Sequence, residues 1–125
     1  MKLRTGLAAQ ADLVVGDQDT AISLGSGDVP VLGTPRVVAL AEAATVAAVA
    51  EALPPGRTTV GTRVEVQHRA PTPLGRQVVA AAVLIGVDGR KLVFDVTVRD
   101  EEAVVATAVV ERVVVDRERF LGGAR

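Results

Sequence analysis

The feature that most limits what this chain can fold into is one alanine-rich segment that contains no glycine and no internal proline, residues 36–53. Thr34-Pro35 precedes it, and Thr is a good N-cap residue while proline is favoured at the first helical position. Pro54-Pro55-Gly56 follows it and is typical of a helix end. The sequence therefore predicts one helix of about 18 residues.

This helix has very few charges. Between Pro35 and Leu53 only three side chains are charged, namely Arg36, Glu42 and Glu51. A helix that is apolar nearly all round is usually buried. Because a single curved sheet covers only one side of a helix, flanking loops or a second chain must cover the rest, which is one reason to expect a homodimer.

The rest of the chain has the pattern of strands. Apolar and polar residues alternate or apolar residues run together in the segments 58–69, 76–87, 91–99 and 103–115, and residues 11–24 suggest one or two shorter extended pieces. Val87-Asp88-Gly89-Arg90 is a good hairpin turn. Strand material, one helix and then a meander of strands predict an α+β fold, an antiparallel sheet with a helix on one face.

Length and composition set the class of protein. With 125 residues the chain fits one domain, which we place at residues 1–120 with a loose C-terminal tail at 121–125. The 14 Lys and Arg residues are scattered and the only aromatic residues are Phe94 and Phe120, so we expect no nucleic-acid partner. The chain has no cysteine, which excludes disulfides, thiolate metal sites and cysteine nucleophiles.

Nothing in the sequence predicts a membrane segment. No uninterrupted apolar stretch is long enough to span a bilayer, so we expect no membrane partner. The basic N-terminus is followed by too short an apolar run for a signal peptide. We therefore expect a cytoplasmic protein.

Two ionisable residues stand out from apolar surroundings. Glu42 lies in the most apolar part of the predicted helix, where it occupies either an exposed stripe or a poorly solvated cleft. His68 is the only histidine, and the two-residue strand period places it on one face with Val60, Val64 and Val66. A lone histidine on an apolar face is more often a core residue with a satisfied hydrogen bond than a functional one. No metal site is expected, because no second histidine or cysteine exists to complete a ligand shell.

Together the two residues suggest chemistry. If the strand face bearing His68 packs on the helix, Glu42 and His68 point into one apolar interface, and leaving either without a partner costs several kcal/mol. They must then meet each other, a substrate or trapped water. A carboxylate and an imidazole in a dry cleft are candidates for base and acid catalysis. Thr34 adds a hydroxyl at the helix N-terminus, where an ordinary N-cap role is the simpler interpretation.

The spacing of these three residues resembles that of the fluoroacetyl-coenzyme A thioesterases, and the likeness covers about residues 30–120. The segments that carry it are Gly33-Thr34-Pro35, Leu40-Ala41-Glu42-Ala43, residues 61–75 from Gly61 to Gly75 with His68 among them, residues 87–94, and residues 116–120. The resemblance implies a hotdog fold, one long buried helix wrapped by a five-stranded antiparallel sheet. It also implies a dimer that binds acyl-coenzyme A at the subunit interface and needs no further cofactor, since coenzyme A is part of the substrate.

Carried over residue by residue, the resemblance makes Thr34, Glu42 and His68 the catalytic triad and places Gly61 near the acyl group. Glu42 would attack the thioester carbonyl or activate the water that does. Thr34 would orient Glu42 or the acyl group, and His68 would stabilise negative charge and protonate the departing sulfur. The fluorine-selective members have aromatic residues before the helix, whereas residues 20–33 contain none, so thioester hydrolysis is implied but fluoroacetyl selectivity is not.

Positive charge is needed for the phosphates of coenzyme A. Arg69 and Arg76 flank the proline-rich loop after His68 and are the candidates for this role, although each taken singly also fits an ordinary surface arginine. Two other functions remain open on the same fold. One is a non-catalytic module that binds acyl-coenzyme A, and the other is a hotdog hydratase or dehydratase.

Overall fold

The element order matches the sequence pattern closely. The computed structural model describes residues 2–124, so Met1 and Arg125, the outermost residues of the predicted domain and of the predicted tail, lie outside the described residues. The strands are β1 (Ala8–Val14), β2 (Arg57–His68), β3 (Gln77–Asp88), β4 (Lys91–Arg99) and β5 (Val104–Asp116), and the helices are α1 (Ala21–Leu24), α2 (Thr34–Val49) and α3 (Arg117–Gly122). Each of the four long strands begins and ends within one residue of its predicted bounds.

The five strands form one antiparallel sheet in the order β1-β3-β4-β5-β2. Helix α2 packs on one face of it and contacts all five strands. The core lies between the sheet and α2, and its largest fully buried side chains include Leu84, Leu92 and Phe94. The predicted α+β hotdog architecture is confirmed. Strands β1 and β2 are the two edges of the sheet, and within the described chain neither has a second neighbour.

Helix α2 is buried on one side only. The residues that face the sheet are Val37, Leu40, Ala41, Ala44, Thr45, Ala48 and Val49. On the other side Ala39, Ala43, Val46 and Ala47 are exposed. The prediction of a buried helix therefore holds in the single chain for the sheet-facing side, and an apolar strip is left uncovered.

Three short segments differ from the sequence predictions, and each difference concerns where a helix begins or ends. Residues 17–24, expected to be extended, form a 3-10 turn and α1, and the hydroxyl of Thr20 accepts a hydrogen bond from the Ser23 N–H at 3.2 Å. Gly33 is the N-cap of α2 and Thr34 lies inside its first turn, so the N-cap interpretation of Thr34 is wrong. Asp116 caps α3 by accepting from the Arg119 N–H at 3.0 Å, and this helix extends to Gly122, into the segment predicted as a loose tail.

A β-bulge shifts the faces of β2. Gly61 pairs with Arg112 and Arg63 with Glu111 of β5, so Thr62 is the extra residue. The predicted alternation is correct after the bulge, where His68 shares the helix-facing side with Val64 and Val66. Before the bulge it is wrong, because Gly61 rather than Val60 lies on that side. One extra residue in a strand moves every residue on one side of it to the opposite face of the sheet. The residue pattern of β2 does not show where such an extra residue lies.

No helix among residues 2–124 is both long enough and apolar enough to cross a membrane.

Candidate active site

Glu42 is held by a buried arginine. It projects from the middle of α2, and its Oε2 accepts a hydrogen bond from Nη1 of Arg112 at 3.1 Å. Arg112 is almost fully buried, whereas the Glu42 side chain keeps 35% exposure. Among the described residues Oε1 of Glu42 has no hydrogen-bond partner. One carboxylate oxygen is thus fixed and the other is left for a ligand.

Arg112 is itself fixed by β2. Its Nε donates to Oγ1 of Thr59 at 2.9 Å and its Nη2 to the backbone carbonyl of Thr59 at 3.1 Å. Burial lowers the pKa of Arg112 from its usual range, and the charge of Glu42 opposes this effect. With three directed contacts the guanidinium acts as a rigid bracket for the carboxylate.

Gly61 makes room for this pair. A Cβ at position 61 would collide with Oε2 of Glu42 and lie 3.2 Å from Nη1 of Arg112. Because Thr62 bulges, Gly61 sits on the helix-facing side directly opposite Arg112. Gly61, which the resemblance places near the acyl group, lies beside Glu42 in the structure.

Sequence reasoning missed Arg112. The available signal was a charged residue on the helix-facing side of an otherwise apolar strand, between Val110 and Val114. A buried charge needs an opposite charge, and Glu42 was the obvious candidate on the facing helix. The signal was hidden because Glu111 and Arg112 are adjacent in the strand and together look like an ordinary solvent-exposed polar pair.

Thr34 and His68 form a second pair. Oγ1 of Thr34 lies 2.8 Å from Nδ1 of His68, which joins the N-terminus of α2 to the last residue of β2. Thr34 is exposed and His68 lies behind it, with a buried Nε2 that has no hydrogen-bond partner among the described residues. Burial lowers the pKa of His68, and a backbone hydrogen bond with Ala70 opposes this effect; the net shift favours the neutral imidazole.

The two pairs are separate within one chain. Thr34 and Glu42 are roughly 12 Å apart along the axis of α2 at its usual rise. Gly61 and His68 are roughly 20 Å apart along β2. Glu42 contacts Arg112 and His68 contacts Thr34, so each ionisable residue has found a partner other than the one that the sequence suggested.

A cleft opens beside Thr34 and His68. It has a volume of about 360 Å³ and is lined by Arg69, by small residues of the loop before α2 and by the aliphatic side chains Val29, Val31 and Leu32. The side chain of Arg69 donates to Oε1 of Gln67 at 2.6 Å. Arg76 does not line this cleft and lies 4.0 Å from Asp100 instead. The structure brings Arg69, but not Arg76, to the Thr34–His68 pair.

Metal ligands are not gathered in the described part of the chain, where no group of three or more His, Cys, Asp or Glu side chains is placed to hold an ion. The polar groups of the two pairs are hydrogen-bonded to one another within each pair.

Comparison with known proteins identifies the family. The model of the FlK family, described as fluoroacetyl-CoA-specific thioesterase, matches residues 15–118. The chain belongs to this family. The fluoroacetyl-CoA thioesterase of Streptantibioticus cattleyicolor is 38% identical over 90 residues, which are 72% of this chain and 65% of that protein. The match thus spans slightly less than two thirds of that relative.

Solved structures agree with the family and the fold. The fluoroacetyl-CoA thioesterase FlK superposes with a TM-score of 0.90 at 33% identity, covering 98% of this chain and 95% of FlK. A hot-dog-like protein of Thermanaerovibrio acidaminovorans gives a TM-score of 0.86 at 26% identity, covering 97% of this chain and 94% of that one. Mutants of FlK have been solved with acetyl-CoA and with fluoroacetate and CoA.

Proposed function

We propose that this member of the FlK family hydrolyses a small acyl-coenzyme A thioester to the free acid and coenzyme A. The observation that carries the proposal is the half-exposed carboxylate of Glu42. Arg112 and Gly61 hold it in one orientation with one oxygen free, in a chain whose family is named for thioester hydrolysis. A cytoplasmic location belongs to the same proposal.

Glu42 supplies the base or the nucleophile. In the simpler route its carboxylate takes a proton from water, the resulting hydroxide adds to the thioester carbonyl, and the tetrahedral intermediate expels the thiolate. The proton on Glu42 then passes to the sulfur, whose thiol has a pKa of about 8.5, like that of cysteine. In the alternative route Glu42 attacks the carbonyl directly, and the tetrahedral intermediate expels the thiolate, which takes a proton from water. Water then hydrolyses the acyl-enzyme anhydride to the free acid and restores the Glu42 carboxylate.

Thr34 and His68 act together on the carbonyl oxygen. Nδ1–H of the neutral His68 donates to Oγ1 of Thr34, which leaves the exposed Thr34 hydroxyl proton free to donate to the oxyanion. Nε2 is then unprotonated and needs no acceptor in its buried position. Here His68 positions Thr34 rather than protonating the sulfur, because a neutral imidazole is a poor acid.

A homodimer joins the two pairs. Strand β2 is a free edge, and α2 has an uncovered apolar side. Antiparallel pairing of two β2 strands about a two-fold axis midway between Gly61 and His68 places each His68 opposite Gly61 of the partner subunit, one strand spacing of about 4.8 Å away. Thr34 and His68 of one chain then face Glu42 of the partner subunit, and each dimer has two complete sites.

The acyl group is small and aliphatic in this proposal. Val29, Val31 and Leu32 line the cleft beside Thr34, and no aromatic residue lies in residues 20–33 to form a gate around fluorine. Arg69, at the same cleft, faces the coenzyme. Arg76 remains a weaker candidate for this contact, because it is already close to Asp100.

The test is release of free thiol from a panel of acyl-coenzyme A esters. Glu42→Gln and Thr34→Ala are expected to lower kcat by about 10²–10³, the usual cost of a lost catalytic base or oxyanion donor. Glu51→Gln, an exposed carboxylate just beyond α2, is the matched control and keeps wild-type kcat. Wild-type turnover by Glu42→Gln would refute the assignment, and binding without thiol release would identify an acyl-coenzyme A binding module instead.

A further inference from the structure

A second cleft lies away from both pairs, where the first residue of β2 and the end of β5 meet the β3–β4 turn and α3. Its volume is about 230 Å³. Its lining residues are Arg57, Arg90, Val115, Asp116, Arg119 and Phe120. We call it the arginine cleft. Helix α3 is held over it by a hydrogen bond from the Arg117 N–H to the Gly56 carbonyl at 2.9 Å.

This cleft carries an excess of positive charge, with three arginines against one aspartate in its lining. Arg57, Arg90 and Arg119 are exposed, and among the described residues none of them lies within ion-pair distance of a carboxylate. Asp116 is the one acidic residue in the lining, and its Oδ1 already accepts from the Arg119 N–H. In a chain of net charge −1 such a local excess of arginine favours an anion with several charges.

The cleft also has an aromatic surface. Phe120 is one of only two aromatic residues in the chain, and it is 49% exposed. Keeping half of a phenylalanine in water is unfavourable unless a ligand or partner covers it. Arginines beside an exposed ring are the groups that bind the phosphates and stack on the base of a nucleotide.

The distance from the arginine cleft to Glu42 matches the length of the coenzyme A arm between its sulfur and its first phosphorus. Arg57 of β2 pairs with Asp116 of β5. Arg57 lies four residues before Gly61, and Asp116 lies four residues after Arg112. Arg57 and Gly61 share one face of β2 and are roughly 13 Å apart at the usual strand rise. The arm of coenzyme A between sulfur and the first phosphorus, about 13 bonds, spans roughly 14 to 16 Å when extended, by the scale of a polypeptide backbone.

We propose that the arginine cleft binds the 3′-phosphorylated adenosine diphosphate end of the coenzyme A ester, with the phosphates on Arg57, Arg90 and Arg119 and the adenine against Phe120. The inference rests on the proposed function for the identity of the ester. It offers the phosphates three arginines that make no ion pair among the described residues, whereas Arg76, the weaker candidate, is already close to Asp100.

Direct binding tests the cleft without any reaction. Adenosine 3′,5′-bisphosphate is titrated calorimetrically into the wild-type protein and into Arg90→Ala/Arg119→Ala, which leaves β2 unchanged. The dissociation constant is expected to rise about tenfold for each arginine removed, since each loses a charge-assisted hydrogen bond. Arg4→Ala/Arg99→Ala removes two exposed arginines that also lack ion pairs and keeps wild-type affinity. Equal affinity of the two double variants, or no binding by the wild type, overturns the inference.

Phe120 is tested separately. Phe120→Leu keeps an apolar side chain without the aromatic face and is expected to weaken the bisphosphate about fivefold or more, because base stacking is lost. Its affinity for inorganic pyrophosphate stays unchanged. Leu121→Ala, the next residue of α3, is the control. Equal weakening for both ligands would show that Phe120 only supports the fold of the cleft and would overturn its role in binding adenine.

Kinetics separate this inference from the proposed function. For acetyl-CoA, Arg90→Ala/Arg119→Ala is expected to raise KM with kcat unchanged, while hydrolysis of acetyl-pantetheine, which lacks the nucleotide, is unaffected. An equal loss on both esters contradicts the inference. If the wild-type protein hydrolyses no ester but binds the bisphosphate through these arginines, the proposed function fails and the arginine cleft stands.

Discussion

At the scale of single residues, Arg112 links the fold to the site, because the same guanidinium contacts Thr59 of β2 and Glu42 of α2. Arg112→Lys keeps the charge but cannot make three directed contacts. We expect kcat to fall about tenfold to a hundredfold as Glu42 loses its orientation, and the free energy of unfolding to fall by about 1–3 kcal/mol as buried polar groups lose partners. Urea unfolding and thiol release measure the two effects.

The control for this prediction is Arg63→Lys, an exposed arginine of the same sheet that pairs with Glu65 and Glu111. It should change the free energy of unfolding by less than about 0.5 kcal/mol. Wild-type kcat in Arg112→Lys would mean that the catalytic orientation of Glu42 does not depend on the contacts of Arg112.

Gly61 gives a second prediction. In Gly61→Ala the new methyl group meets the far end of the Glu42 side chain, which can rotate away, so the protein should still fold. The rotated carboxylate leaves Arg112 and the site, and kcat is expected to fall by about 10² or more. Gly86→Ala is the control, since a Cβ there meets only Val93 at ordinary contact distance. A fully active Gly61→Ala protein would contradict the observed geometry.

His68 gives the chain a pH dependence that can be assigned without ambiguity, because it is the only histidine. Burial places its pKa in the folded state below the ordinary value of 6.5, so the unfolded chain takes up the proton first as pH falls. The free energy of unfolding is therefore expected to decrease as pH falls below about 6.5, until the folded protein is protonated as well.

Urea unfolding of the wild type and of His68→Gln between pH 7.5 and 5.5 measures this effect. The variant should lack the part of the slope that His68 contributes. Identical slopes would show that the imidazole is as well solvated in the folded protein as in the unfolded chain.

At the scale of elements, α2 has one buried side and one exposed side, and substitutions of its alanines distinguish the two. Ala44 is fully buried against the sheet, while Ala47 is exposed. Ala44→Leu forces extra methyl groups into a packed core and should lower the free energy of unfolding by about 1–3 kcal/mol. Ala47→Leu, the same change three residues along the helix, lies on the side that is uncovered within the chain and that the proposed homodimer would bury. At a protein concentration where the chain is monomeric it should be nearly neutral, and a cost there as large as that at Ala44 would contradict the one-sided burial of α2.

At the scale of the whole molecule, the proposed dimer makes a prediction that a one-chain site does not. If Glu42 and His68 of different chains complete one site, a mixture of Glu42→Gln and His68→Asn proteins contains heterodimers in which one site has both defects and the other has neither. After subunit exchange of equal amounts, about a quarter of the wild-type activity should return by random pairing. Each variant alone is the control, and no recovery in a mixture shown to exchange would exclude shared sites.

The sequence by itself determined the strands, the helix and the candidate residues. Two-residue alternation predicted β4 to the residue, because it is a local pattern of side-chain direction. The uninterrupted run ending at Pro54-Pro55-Gly56 predicted one helix, of which the structure forms α2 to Val49 and then a 3-10 turn over Ala50–Ala52. Glu42 and His68 were identified as ionisable residues in apolar surroundings, and Thr34 joined them as a catalytic candidate by resemblance to the family, membership of which is confirmed.

Only the tertiary structure decided which side chains meet. The bulge at Thr62 put Gly61 on the helix-facing side, and the pairing of β2 with β5 brought Arg112 to Glu42. The packing of α2 on the sheet brought Thr34, at the start of α2, to His68, at the end of β2. These contacts join residues 34 to 70 positions apart in sequence. A residue pattern specifies the direction of a side chain relative to its own backbone, whereas its partner across the core depends on register and packing that only the folded chain fixes.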